Sequence, residues 1–241
     1  MGKEIELKIP LSQVQYDDLY KKIFVEKNCT GVKVLDSSSE QIYKHDEYFT
    51  KYATLEERAE KNEPQVIRLR TESVRGNKQC FFTIKRKTLQ NGIEVNKEDE
   101  TLVSDENVLR LFFEEAGYRR WFNKEKKAYS SHCVLDDENE ASDCGIGQVK
   151  LGQTIFHLEL VEVNNMLYVE VEVVSDDDVI TTETGNETCD KVAAESCGQK
   201  KLPESNLKAQ LEKFVLALGL NPADKDPRSW YDIITERHCK P

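Results

Sequence analysis

The sequence predicts an α+β fold in which about eight antiparallel strands close into a β-barrel, with helices packed outside. Polar and apolar residues alternate along much of the chain, which is typical of strands with one buried face. The dipeptides Asn91-Gly92 and Asn164-Asn165 each separate two alternating runs and predict hairpins. A sheet with this many strands must expose an edge or close on itself, and only closure removes the edges.

The strands of the first half follow from alternation, and Asn91-Gly92 favours a type I′ turn between the last two of them. Ser12 can cap a helix that runs to about Lys27, because its hydroxyl can bind a free amide of the first turn. A charged connector with some helix is predicted at 51–64. The strands of this half are predicted at 3–9, 31–35, 41–49, 65–71, 79–89 and 93–102.

The second half begins with a helix over 105–116, which Ser104 can cap and which ends at Gly117. Acidic stretches near 130–150 and 175–200 are predicted as flexible insertions within a single domain of residues 1–241. The other elements of this half are strands at 121–129, 153–163 and 166–174, and helices at 204–218 and 230–235.

The charge of the chain limits its partners. The formal net charge is −11 over 241 residues, which argues against non-specific nucleic-acid binding. Acidic and basic residues nearly balance outside the two acidic stretches, so the rest of the chain could bind an anion locally. Neither a membrane-spanning run nor a signal peptide is evident. We expect no nucleic-acid or membrane partner, and either a monomer or a homodimer.

The cysteines indicate a reducing compartment. There are seven of them, an odd number, and none forms a CxxC pair. Free thiols are therefore favoured over a disulfide or zinc framework, and a cytoplasmic location is expected.

Charged side chains recur on one face of the predicted strands. Residues two apart in a strand share a face, so Glu4, Glu6 and Lys8 lie opposite the apolar Ile5 and Leu7. Since the apolar faces must meet the helices, the charged faces would line the barrel interior. The other groups that share a face are Lys44 with Asp46 and Tyr48, Arg68 with Arg70, Thr83 with Lys85 and Lys87, Lys124 with Lys126, and Glu170 with Glu172.

The two hairpins place further charged residues opposite each other. Two opposed carboxylates repel unless a cation lies between them, so an opposed pair favours a metal site. Two-residue turns would pair Lys87 with Asn96, Lys85 with Glu98, Thr83 with Glu100, Glu159 with Glu170, and His157 with Glu172.

An interior that holds similar numbers of cations and carboxylates is costly unless it is wet or filled by a ligand. A polyanion bound together with Mg²⁺ or Mn²⁺ would satisfy both signs, because cations hold phosphate oxygens and carboxylates hold the metal. For any single strand, an ordinary solvated outer face is the simpler interpretation. The recurrence of the pattern on strand after strand favours a charged interior.

Eight short motifs lie in order along the chain, and together they resemble the CYTH superfamily, the triphosphate tunnel metalloenzymes. Asn96, Lys126 and Glu159 stand where the family usually has Arg, Arg and Asp. The motifs are ExExK at 4–8, DxYF at 46–49, RxR at 68–70, TxK at 83–85, the acidic strand 96–100, a Lys124/Lys126/Tyr129 strand, ExE at 170–172 and PRSWY at 227–231.

The resemblance implies an eight-stranded tunnel and assigns roles to its charged residues. The implied metal ligands are Glu4, Glu6, Glu159, Glu170 and Glu172. The implied substrate-binding residues are Lys8, Arg68, Arg70, Lys85, Lys87, Lys124, Lys126 and Arg228. The residues expected to act in catalysis are Lys85, which would neutralise phosphoryl charge, and Glu98 and Glu159, either of which could orient the attacking water.

These roles favour metal-dependent hydrolysis of a triphosphate, either tripolyphosphate or, as alternatives, thiamine triphosphate or a nucleoside triphosphate. A class IV adenylyl cyclase, which converts ATP to cyclic AMP and pyrophosphate, needs the same cradle. The 227–231 motif resembles the ending of that branch. A third alternative is a polyphosphate-binding module without catalytic activity.

Overall fold

Nine antiparallel strands form one sheet within residues 2–61, 65–136, 153–175 and 204–238, the parts of the chain that the computed structural model describes. The strands are β1 (Gly2–Leu11), β2 (Val32–Ser37), β3 (Ile42–Thr50), β4 (Gln65–Val74), β5 (Asn77–Gln90), β6 (Ile93–Val103), β7 (Arg119–Leu135), β8 (Phe156–Val163) and β9 (Met166–Ser175). The helices are α1 (Gln13–Tyr20), α2 (Leu55–Glu60), α3 (Glu106–Glu115), α4 (Glu204–Ala217) and α5 (Trp230–His238), with a π-helix at Lys21–Val25 and a 3₁₀ turn at Pro222–Asp224. No helix in the described ranges is long and apolar enough to span a bilayer.

Eight of the strands close into a barrel, which confirms the predicted fold class. The strand order is β2-β7-β3-β4-β5-β6-β1-β9-β8, and β8 also pairs with β7. The ninth strand, β2, adds to the far end of β7 beyond the stretch that pairs with β3. β7 can serve three partners because it is 17 residues long.

The two predicted hairpins have the predicted registers. Asn91 and Gly92 have φ angles of 53° and 78°, as a type I′ turn requires, and Lys85 pairs with Glu98. The second hairpin turns in the same way and pairs Glu159 with Glu170. Register decides which side chains face inward, so the two turns set which charges meet in the barrel.

The apolar faces of the strands point outward and are covered by helices. Ile5 and Leu7 of β1 are at most 1% exposed and lie in a core that includes Phe214 of α4. Each such side chain contributes about 1.5–3 kcal/mol through burial. This outer packing directs the alternate residues Glu6 and Lys8 into the barrel.

Two helices pack elsewhere on the barrel. α3 lies outside, where the Phe113 ring is 4.5 Å from that of Phe49. α5 closes one end of the barrel, where its Ile233 packs with Ala128, Val161 and Tyr168 at inward positions of β7, β8 and β9. One end of the interior is therefore sealed by apolar contacts.

Some predicted boundaries were wrong. β7 runs to Leu135, because β2 and β8 both pair with its last residues, so residues 130–135 are not part of an insertion. The acidic stretches otherwise fall within 137–152 and 176–203, outside the described residues. The cap of α3 is Asp105 and not Ser104, since the Asp105 carboxylate accepts from two amides of the first turn.

Candidate active site

The barrel encloses a cavity of about 1000 Å³, lined by residues from all eight of its strands and from the start of α5. We call this space the barrel cavity. Every site residue predicted from the sequence lines it. These residues are Glu4, Glu6, Lys8, Arg68, Arg70, Lys85, Lys87, Glu98, Lys124, Lys126, Glu159, Glu170, Glu172 and Arg228.

Asp46 organises the cations on the side formed by β3, β4 and β7. The Arg70 guanidinium donates to both of its carboxylate oxygens, at 2.6 and 3.0 Å, and the Lys124 ammonium lies 3.1 Å away. Burial alone would raise the pKa of Asp46, but Arg70 and Lys124 hold it well below its usual value. Burial lowers the pKa of Lys124 to about 8, against the attraction of Asp46. This side of the cavity is crowded with positive charge.

The lysines of β5 bridge carboxylates of β1 and β6. The Lys85 ammonium lies 2.5 Å from Glu98 and 3.5 Å from Glu6. Lys87 is paired with Glu94, which also holds Lys8 at 3.1 Å. Burial would lower the pKa of Lys85, but Glu6 and Glu98 raise it above its usual value, so Lys85 stays charged.

Glu159 and Glu170 are directly opposed, as predicted, and a lysine lies between them. The Lys126 ammonium is 2.6 Å from Glu159 and is also paired with Glu170. Lys44 binds Glu159 at 2.6 Å as well. Burial would raise the pKa of Glu159, but Lys126 and Lys44 hold it well below its usual value. These lysines already neutralise the opposed pair without a metal ion.

The carboxylates of β1 are less well compensated. Glu6 pairs with Glu172 on one side and with Glu94 on the other in the β-ladder. Burial, together with Glu172 and Glu98, raises the pKa of Glu4 to about 9. Burial also raises the pKa of Glu6, although Lys85 opposes the shift. A concentration of carboxylates that is costly to ionise favours a bound cation.

The donor chemistry at Glu4, Glu6 and Glu172 fits Mg²⁺ or Mn²⁺. Carboxylate oxygens are the ligands that both ions prefer. Within the described residues, no three His, Cys, Asp or Glu side chains converge into a complete metal cage. An ion held here would complete its coordination with water and phosphate oxygens, as Mg²⁺ usually does.

Solved structures with low sequence identity share this architecture. PH1819 from Pyrococcus horikoshii OT3 superposes with a TM-score of 0.59 at 14% identity, over 97% of this chain and 99% of that one. A proposed adenylate cyclase from Vibrio parahaemolyticus gives 0.54 at 13%, over 96% and 97%. HpAC1 from Hippeastrum, a proposed adenylyl cyclase with a dominant triphosphatase activity, gives 0.52 at 14%, over 100% and 98%. The chain has the CYTH fold. No family model and no curated protein matches the sequence.

The CYTH barrel of this chain also contains cavity residues to which the sequence analysis gave no site role. Strand parity placed Lys44 on an inward face, and the same parity with Glu98 could have identified Glu94. His157 lines the cavity, and its Nε2 lies 2.7 Å from the Ser130 hydroxyl. The other cavity residues outside the predicted set include Tyr48, Arg58, Trp121, Phe122, Trp230 and Tyr231.

Arg228 lies at the edge of the CYTH barrel cavity, with its guanidinium bound by other groups. It donates to both oxygens of Asp226, at 2.8 and 2.6 Å, and to Glu236 at 2.6 Å. Its side chain is 45% exposed. Direct binding of a phosphate by Arg228 stays a prediction, and would require it to leave these two carboxylates.

Proposed function

We propose that the protein is a divalent-metal-dependent triphosphatase that hydrolyses its substrate in the barrel cavity. The observation that carries this proposal is the separation of charge across the cavity. Arg70 and Lys124 crowd the side formed by β3, β4 and β7, while Glu4 and Glu6 lie on β1, across the barrel, with raised pKa values. A triphosphate with its metal ion has the charges that both sides need.

The cations would bind and neutralise the phosphate chain. Arg70 and Lys124 are held in place by Asp46 before any substrate enters, so little reorganisation is needed during the reaction. Lys85 projects into the cavity between Glu6 and Glu98. There it can neutralise the negative charge on the phosphoryl group during transfer. Stabilisation of this charge accounts for most of the catalysis of such reactions.

Glu4, Glu6 and Glu172 would hold the divalent ion, and Glu159 and Glu170 would join them only if Lys126 moved away. When bound, such an ion neutralises phosphate charge and lowers the pKa of a coordinated water. Lys126 contacts both Glu159 and Glu170, so its movement toward a phosphate would remove its ion pair with both carboxylates, while Lys44 would still hold Glu159.

In the hydrolytic step, a water oxygen forms a bond to the terminal phosphorus, and the bridging P–O bond breaks. The bonding electrons leave with the remaining phosphates, and the water proton passes to the solvent. Lys85 raises the acidity of Glu98, and lysines do the same for Glu159, so both are weak bases. They would orient the attacking water by accepting its hydrogen bond, and would not remove its proton.

The comparison with HpAC1 supports hydrolysis, because that protein, of similar fold, is described with a dominant triphosphatase activity. The second candidate is an adenylyl cyclase, in which a ribose hydroxyl replaces water and pyrophosphate leaves. The Vibrio parahaemolyticus protein, described as a proposed adenylate cyclase, favours it. For either activity we expect a cytoplasmic protein, without a nucleic-acid or membrane partner, that acts as a monomer or homodimer.

Product identification decides between these functions. The protein would be incubated with tripolyphosphate and with ATP in Mg²⁺ and in Mn²⁺, and the products separated by anion-exchange chromatography. Release of orthophosphate supports the triphosphatase, and cyclic AMP with pyrophosphate supports the cyclase. Tight binding without either product would leave only a polyphosphate-binding module.

A further inference from the structure

One part of the barrel cavity is aromatic where the rest is charged. Tyr48 of β3, Trp121 and Phe122 of β7 and Tyr231 of α5 all line it. The Trp121 ring centroid lies 5.0 Å from that of Tyr231 and 5.6 Å from that of Phe122. Tyr48 lies 5.4 Å from Phe122. We call these four residues the aromatic wall.

The aromatic wall is not part of the hydrophobic core. In the described ranges, the buried apolar clusters and the side chains packed against them do not include any of the four rings. The rings are half-buried, and the surface that they leave open faces the cavity. Contiguous apolar surface inside a ligand cavity is typical of a site that binds an apolar or aromatic group.

The aromatic wall begins beside the cations that would bind phosphate. The Tyr48 hydroxyl donates to Asp46 at 3.2 Å, and the same carboxylate holds Arg70 and Lys124. Lys124 is two residues from Phe122 on β7. A phosphate chain on Arg70 and Lys124 would therefore place whatever is attached to it against the wall.

Arg58 indicates which kind of ring fits. Its guanidinium carbon lies 4.3 Å above the centre of the Trp121 ring, so the indole already receives a flat, delocalised group. A cationic ring would meet repulsion from Arg58 and from the cations nearby. A neutral heteroaromatic ring could stack on Trp121 with Arg58 on its other face, or take the place of Arg58.

We propose that the aromatic wall and Arg58 form a specificity subsite for a neutral nucleobase-type ring. The protein then acts on nucleoside triphosphates in preference to inorganic tripolyphosphate and thiamine triphosphate. This inference rests on the proposed function, because it names the class of triphosphate that the cavity accepts.

Steady-state kinetics on ATP, tripolyphosphate and thiamine triphosphate test the subsite. Stacking on one ring is worth about 5-fold to 150-fold in binding. The wild type is expected to prefer ATP by about 10-fold or more in kcat/KM. Trp121→Ala and Arg58→Ala should each reduce the ratio of ATP to tripolyphosphate activity, chiefly through a higher KM for ATP.

Phe112→Ala is the matched control, since Phe112 is an aromatic residue of α3 that is 60% exposed and lies away from the cavity. Its ratio should equal that of the wild type. Equal losses on ATP and tripolyphosphate in Trp121→Ala, or a wild type that prefers thiamine triphosphate or tripolyphosphate, would overturn the subsite while the triphosphatase stands.

If the wild type hydrolyses none of the three triphosphates, the proposed function fails. A binding measurement then tests the subsite separately. Tryptophan fluorescence would be titrated with ATP and with tripolyphosphate. Quenching by ATP that is lost in Trp121→Ala supports the subsite, and the absence of such quenching overturns it.

Discussion

Most cations in the barrel cavity are paired with carboxylates, and several share one, so binding of a triphosphate means exchanging one set of ion pairs for another. Lys85 lies between Glu6 and Glu98, and Arg70 is held by both oxygens of Asp46. The fixed pairs keep the side chains extended into the cavity. Without them, long lysine and arginine side chains would lose more conformational freedom on binding.

Lys85→Ala removes the cation between the two carboxylates and should lower kcat/KM for phosphate release by about 100-fold to 1000-fold, as loss of one charge-stabilising donor does in other enzymes. The measurement is phosphate release from the preferred triphosphate, with circular dichroism to check the fold. Lys97→Ala is the control, because Lys97 is exposed on the outer face of the same hairpin. Equal activity of Lys85→Ala and the wild type would remove Lys85 from the mechanism.

Asp46→Asn should destabilise the protein by about 3–5 kcal/mol at neutral pH, because Arg70 and Lys124 stay buried without their carboxylate. The folded pKa of Asp46 lies below its ordinary value of 3.8. Its contribution is therefore complete above that value and is lost as the pH falls toward the folded pKa. Urea unfolding at pH 7 and near pH 3 should show the wild type losing part of its advantage over the variant in acid. A difference that is constant with pH would contradict this.

At the scale of secondary structure, the two type I′ turns carry most of what could be predicted about the site. Strand parity and turn position set the register, and the register places Glu159 opposite Glu170. The same reasoning places Tyr48 and Phe122 inward but could not find the whole aromatic wall. Trp121 lies at a bulge between β3 and β7, where parity fails, and Tyr231 comes from α5, whose docking depends on tertiary contacts.

α5 is held on the barrel by apolar packing and by polar contacts. Ile233 is 4% exposed, and the Trp230 indole donates to Glu170 at 2.7 Å. Ile233→Ala should cost about 2–5 kcal/mol, since it leaves a cavity against Val161 and Tyr168. Leu216→Ala, on a 61% exposed position of α4, should cost far less. Thermal unfolding of both variants checks this, and equal losses would mean that α5 is not docked through Ile233.

For the whole molecule, the outer core and the charged interior depend on one property, the alternation of side chains between the two faces of each strand. Apolar faces outside bind the helices, and so the charged faces must line the barrel. The sequence predicted most charged lining residues of the regular strands, although it did not name Glu94 of β6. It did not predict that Lys126 would compensate Glu159 and Glu170, because which charges meet across the interior depends on barrel closure.

The most direct test is phosphate release measured over a range of Mg²⁺ and Mn²⁺ concentrations for the wild type, Glu6→Gln and Glu125→Gln. Glu125 is a matched control, because its side chain is 85% exposed. We predict no release without a divalent ion, and a half-maximal metal concentration at least about 10-fold higher in Glu6→Gln alone. Full activity in a chelator, or a Glu6→Gln curve that overlays the wild type, would contradict a metal-dependent triphosphate site in the barrel.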